Sequence, residues 1–155
     1  MRVIAAVLAV VLVVAVALAV LWGGKVHAAD QHRDNRAAAA SVASQFALRM
    51  DKVDGTKFDD YIKSVNQLLT TKAKTKNSQV FDVMKQSYET AKVVGSGKVL
   101  MTAVGDSSDD SATVLVVHDA SVKTTQGNLQ HHYRWNVDLV KVGNKWLVDN
   151  FSPVN

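Results

Sequence analysis

Three strand-borne histidines, a knot of aspartates and two helical tyrosines are the residues whose types and spacing could do chemistry in this chain. His118 ends a Val-rich run, and His131 and His132 open a later alternating run, so metal coordination is the first chemistry to weigh. Neighbouring strand residues point to opposite faces, so His131 and His132 reach one tetrahedral site only across a bulge, and His118 with Asp119 meets the same objection. All of these read as ordinary polar strand positions. Asp106, Asp109 and Asp110 crowd a turn but lack the central Gly and distal Glu of a calcium-binding loop. Tyr61, Tyr88 and Asp82 are residue types that serve acid–base chemistry in an apolar pocket, yet their spacing is equally that of a helix core face with a wet edge.

Other chemistries lack their residues. The chain has no cysteine, which removes a disulfide framework, a thiolate metal site, a Cys nucleophile and a lipid-modified N-terminal cysteine. No Gly-x-Ser-x-Gly elbow occurs, and Gly95-Ser96-Gly97 lacks the Lys-Ser/Thr that completes a phosphate loop. The expectation is therefore a protein that is not an enzyme, with no catalytic residue, metal or cofactor. Net charge is +4, but aromatic residues do not interleave with basic ones, which argues against nucleic acid. Lys72, Lys74 and Lys76 form the densest cationic cluster, read as a solvated loop between helices rather than a patch for anionic lipid.

The element that must place the rest is the run Val3–Trp22, which carries no charged or polar side chain. Twenty helical residues rise roughly 30 Å, the thickness of a bilayer's hydrocarbon core. The run predicts a transmembrane anchor with Trp22 at the interface and Lys25 beyond it. A secretory signal cleaved after Ala28 is the competing reading, disfavoured because its apolar region is usually about 7 to 15 residues. Residues 1–24 are thus expected to be a cytoplasmic stub and anchor, and residues 25–155 one extracytoplasmic domain of a single-pass plasma-membrane protein.

Periodicity assigns the domain's elements. Ala39, Val42, Phe46 and Met50 mark an amphipathic helix from Asp30 to about Met50. Asp54-Gly55 breaks it, and Thr56 with Asp59 reads as the cap of a second helix bearing Phe58, Tyr61, Ile62, Val65, Leu68 and Leu69. Asn77 or Ser78 is expected to cap a third helix carrying Val80, Phe81, Met84, Tyr88 and Ala91. Gly95 and Gly97 end helical periodicity. Strands follow at Lys98–Val104, turning at Gly105 to Ser108, then at Ser111–Lys123, about Leu129–Val142, and Lys145–Phe151 after a Gly143-Asn144 turn. Helices first and strands afterwards predict an α+β domain, about three helices packed on a curved antiparallel sheet of about four strands.

Two sets of residues are candidate binding positions. Leu115 and Val117 lie opposite Val114 and Val116 on the second strand, where they would meet a protein partner. Phe81, Tyr88, Tyr133, Trp135 and Trp146 are the aromatic side chains that would line a pocket for an apolar ligand; filling the core is the competing use of the same residues.

The Ala-rich first helix, the spacing Phe58-x3-Ile62-x5-Leu68-Leu69, and the segments Ala112-Thr113-Val114-Leu115-Val116-Val117, Tyr133-Arg134-Trp135-Asn136-Val137 and Lys145-Trp146-Leu147-Val148 together resemble the actinobacterial Mce-associated membrane proteins. The resemblance implies a cone-shaped domain of the nuclear-transport-factor-two-like or cystatin-like type. It also implies a non-catalytic accessory protein that stabilises an Mce-type lipid or sterol importer in the cell envelope, with importer subunits as partners. The same architecture is similar to the extracytoplasmic domains of type IV secretion components of the VirB-eight kind. A scaffold subunit of a secretion or conjugation machine is accordingly the alternative, and an apolar-ligand-binding or isomerase-like cone is the third reading.

Overall fold

The computed structural model describes residues 30–154. Val3–Trp22 and the cleavage site after Ala28 lie outside the described residues, so the anchor expectation stands on sequence. Among the described residues no helix is long and apolar enough to cross a membrane. Contacts divide the chain between Asn35 and Arg36. Residues 30–35 are helical, with Arg33 paired to Asp30 at 3.4 Å. The unit from Arg36 onward holds the sheet and the helical segments that pack on it.

The first helix, α1, covers residues 30–51. In the larger unit its core stripe is Ala39, Ala43, Phe46 and Ala47, all fully buried, while Val42 and Met50 flank it. Small residues on that stripe let the helix backbone approach the sheet, and Phe46 supplies the bulk: its ring lies 4.9 Å from Phe151 and 6.1 Å from Trp135. Arg49 donates to the Ser64 carbonyl at 2.6 Å and so ties α1 to the next helix.

The second helix, α2, runs Phe58–Asn66 and buries Phe58, Tyr61 and Val65. The Thr56 cap expected for it is not there. Asp54 instead accepts from the Thr56 backbone and hydroxyl at 2.9 and 2.7 Å, closing a 3-10 turn at Gly55–Lys57 that leads into α2. Leu69 lies beyond α2, buried, and forms a parallel bridge to Val148.

The third helix, α3, runs Thr71–Thr90, so the lysine cluster is helical rather than a loop. Thr70 is the cap, its Oγ1 accepting from Ala73 N at 3.1 Å. Asn77 and Ser78 do not start a helix; they bond back to the Ala73 and Thr75 carbonyls within it. Lys72 pairs with Asp149 at 2.5 Å and Lys76 donates to Asn150 at 2.8 Å, so two of the three lysines rest on the sheet's last strand. Phe81 is buried, whereas Val80 is exposed.

Among the described residues four strands form an antiparallel meander in the order β1-β2-β3-β4: β1 Val94–Ser107, β2 Ser111–Thr124, β3 Gly127–Val142 and β4 Lys145–Pro153. Register shifts at Val99/Met101, Val104/Ser107 and Asp138/Leu139 bend the sheet as bulges do. The inner face carries Val114, Val116, Val137, Leu139, Trp146 and Val148 in one core with the helices. Each such side chain, fully buried, contributes roughly 1.5–3 kcal/mol. Gly143 turns the last hairpin with φ of 61°, a conformation glycine adopts without strain. The α+β architecture and the central place of β2 agree with expectation, but β1 begins earlier than Lys98 and includes Gly95 and Gly97. These glycines do not end an element; they make room for α1. A methyl at Gly97 would overlap the Asp51 side chain, and one at Gly95 would overlap the Asp51 carbonyl.

Candidate functional site

The space those glycines leave is occupied by a buried polar pair. Asp51 closes the last turn of α1, where a carboxylate faces the negative end of the helix dipole and is disfavoured unless compensated. Compensation comes from β2: His118 Nδ1 lies 2.8 Å from Asp51 Oδ2, with side-chain exposures of 0 % and 4 %. The carboxylate accepts, so the imidazole proton of this bond sits on Nδ1, and Nε2 is buried with no partner among the described residues. The Trp135 and Tyr133 rings, 4.5 and 5.2 Å from the imidazole, enclose it on the β3 side.

His118 is thus a core residue and not the ordinary polar strand position expected. Its place on β2 follows from parity: Ala112, Val114, Val116 and Ala120 share its inner face, and all are buried. His132 projects from the other face of β3 and pairs with Asp119 at 2.6 Å, whereas His131 stacks on Tyr133 at 5.5 Å. The histidines are therefore divided between faces. Among the described residues no three His, Asp or Glu side chains converge as a metal site would require. The aspartate turn is held by Ser108, which bonds Asp110 at 2.8 Å and receives the Ser111 backbone N–H at 3.1 Å.

Beside the pair lies a partly open cavity of about 130 Å³ lined by Met50, Asp51, Tyr61, Met84, Tyr88, Tyr133 and Trp135, with smaller aliphatic residues between them. Of the five aromatic residues proposed as pocket lining, Tyr88, Tyr133 and Trp135 are in this wall. Phe81 and Trp146 are buried elsewhere in the core. Tyr61, weighed with Tyr88 and Asp82 for acid–base chemistry in an apolar pocket, is in the wall and Asp82 is not, while the carboxylate-bearing residue there is Asp51, which the sequence does not single out. Tyr61 donates its hydroxyl to the Met50 carbonyl at 3.1 Å, satisfying an acceptor at the end of α1. Burial, then the nearby Tyr88 and Asp51, pushes its pKa well above the ordinary phenol value. Tyr133 is raised by burial and by Asp51, and Tyr88 by burial and by Tyr133. The phenols therefore keep their protons at neutral pH, and Asp51 is the one acid in the lining. Among the described residues no Lys or Arg lies in the cavity wall.

A second candidate surface lies on the outer face of the sheet. Leu115 and Val117 are half-buried there, paired across β1 with Ala103 and Met101 and across β3 with Asn136 and Arg134. Met101 is 54 % exposed. Together they form an apolar strip with a polar margin on β3, which is the anatomy of a small protein-contact surface.

No family model and no curated protein matches this sequence. Solved structures do match its fold. CagV, a VirB8 homolog of the type IV secretion system of Helicobacter pylori strain 26695, aligns with a TM-score of 0.62 at 8 % identity, covering 77 % of this chain and 98 % of CagV. The periplasmic domain of DotI aligns at 0.59 and 13 % identity, covering 76 % and 94 %. A candidate scytalone dehydratase from Novosphingobium aromaticivorans aligns at 0.60 and 11 % identity, covering 82 % and 89 %. The cone part of the family resemblance is carried by these structures, and its Mce-associated part rests on the sequence motifs alone. At such identities the likeness speaks for architecture, and the described domain has the nuclear-transport-factor-two-like cone fold.

Proposed function

We propose that this chain is a non-catalytic, membrane-tethered scaffold subunit whose cone domain works outside the cytoplasm as a protein-binding module of a multi-subunit envelope machine of the secretion or conjugation kind. The observation that supports this most is the near-complete overlay on CagV and on the DotI periplasmic domain, 98 % and 94 % of those chains. An apolar run long enough to span a bilayer, Val3–Trp22, precedes the domain in sequence, which suits a tethered part. The strip of Met101, Leu115 and Val117 is the contact surface in this reading.

An accessory role beside an Mce-type lipid importer is the second reading, favoured by the motifs Ala112–Val117, Tyr133–Val137 and Lys145–Val148. One experiment serves both. Full-length tagged protein is purified from native membranes, as wild type and as Leu115→Glu. The wild type is expected to bring down subunits of one envelope assembly, and Leu115→Glu to lose them while keeping its far-UV spectrum and melting curve. Secretion or conjugation subunits in the pull-down support the first reading and importer subunits the second. Recovery unaffected by Leu115→Glu would remove the proposed surface, and a pull-down with no membrane-assembly subunit would remove both readings.

A further inference from the structure

We infer that the cavity beside Asp51 is a binding site for a small alkylammonium ion. Four aromatic side chains, Tyr61, Tyr88, Tyr133 and Trp135, share its wall with one carboxylate and no basic residue. Aromatic rings attract cations through the negative faces of their π-systems, and the attraction strengthens when water is excluded. Asp51 stands at the C-terminus of α1, so the helix dipole adds further negative potential at the same place. The phenols hold their protons, because burial first and then Asp51 raise them, so they add no charge to the wall beside the Asp51 carboxylate. His118 bonds Asp51 from β2 and is not part of the lining. It orients the carboxylate without filling the cavity.

Size selects within this class. A volume of about 130 Å³ is close to that of cavities known to admit benzene, which suits a trimethylammonium group and excludes a long chain. The chain of a larger ligand would leave through the open side. Two sources carry this group: a free quaternary ammonium ion such as choline, and the phosphocholine headgroup of a lipid. Met101, Leu115 and Val117 do not line this cavity, so its chemistry is independent of the assembly that the outer face meets.

The test uses the full chain in maltoside micelles. Choline and its neutral carbon isostere 3,3-dimethylbutanol are titrated separately, with heat and tryptophan emission as readouts. Choline is expected to bind saturably and about tenfold or more tighter than the isostere. Asp51→Asn should erase that preference. Because this change strikes a buried pair, Tyr88→Leu, at a half-buried position of the wall, provides a second variant; with an unchanged melting curve it should weaken choline about tenfold. Dodecylphosphocholine in place of choline separates the sources: tighter binding assigns a lipid headgroup, equal or weaker binding a free quaternary ammonium ion. Equal affinity for choline and the isostere would overturn the inference, leaving an apolar cavity only. Failure of both to bind saturably would overturn it as well.

Discussion

Breaking the Asp51–His118 pair from either side should destabilise the domain by amounts that do not add when both sides are removed. His118→Phe keeps a ring against Tyr133 and Trp135 but leaves the Asp51 carboxylate, 4 % exposed, with no imidazole. Leaving a buried carboxylate uncompensated typically costs about 3–5 kcal/mol, a fifth or more of the roughly 5–15 kcal/mol that holds a domain of this kind. Asp51→Ala leaves Nδ1 unpartnered beside an Nε2 already without a partner, and a similar loss is expected. At roughly 4 °C per kcal/mol for this size, each single variant should melt about 12–20 °C lower. The double variant has neither an orphan charge nor an orphan Nδ1, so its loss should fall short of the sum by at least about 2 kcal/mol. The assay is urea unfolding of the full chain in detergent, followed by circular dichroism and tryptophan emission. Single losses under about 1 kcal/mol that simply add would refute the claim that the pair is a buried, coupled unit.

Gly97→Ala tests the same geometry from β1, because the new methyl would overlap the Asp51 side chain; a loss of about 1–3 kcal/mol is expected, as for overpacked cores, and full wild-type stability would show that Asp51 does not sit over this strand. Tyr61 gives an alkaline signature. Its folded pKa lies above the unfolded value of 10.0, so its stabilisation is complete below about pH 10 and is lost as pH rises from there; Tyr61→Phe should flatten that decline in urea midpoints between pH 9 and 11, and an unchanged slope would contradict it. Asp149 gives an acid signature of opposite sign. Hydrogen bonds from Lys72 and Thr70 hold its carboxyl below the ordinary value of 3.8, so the stabilisation is present above about pH 4 and is lost as pH falls through the folded value. The ion pair is open to solvent on the Lys72 side, so Asp149→Asn should lower stability at pH 7 by no more than about 1 kcal/mol, the difference shrinking at pH 3.

The α+β order was legible because each element carries its own period: three- and four-residue spacing through Phe46 and Tyr61, strict alternation through Tyr133, Trp135, Val137 and Leu139. Boundaries set by local hydrogen bonds were harder. Thr70 caps α3 immediately after two leucines, and the lysines that follow read as loop although they are good helix formers; Asp54 rather than Thr56 ends the break because it bonds the Thr56 amide. The aromatic lining was half visible, since alternation places Tyr133 and Trp135 inward but does not say that Phe81 and Trp146 point to other parts of the core. The Asp51–His118 pair was hidden because its members stand 67 residues apart. The signals present were parity, which puts His118 among buried valines, and two glycines in a strand, a pattern that marks the close approach of another segment.

Site-specific photocrosslinking tests the scaffold reading most directly. A photoreactive residue at Val117 of the full chain, irradiated in native membranes, is predicted to capture a subunit of one envelope assembly, while the same residue at Val83, exposed on α3, captures far less of it. Capture of no protein from Val117, or the same yield from Val83, would contradict the proposal that the outer face of the sheet is where this domain holds its partner.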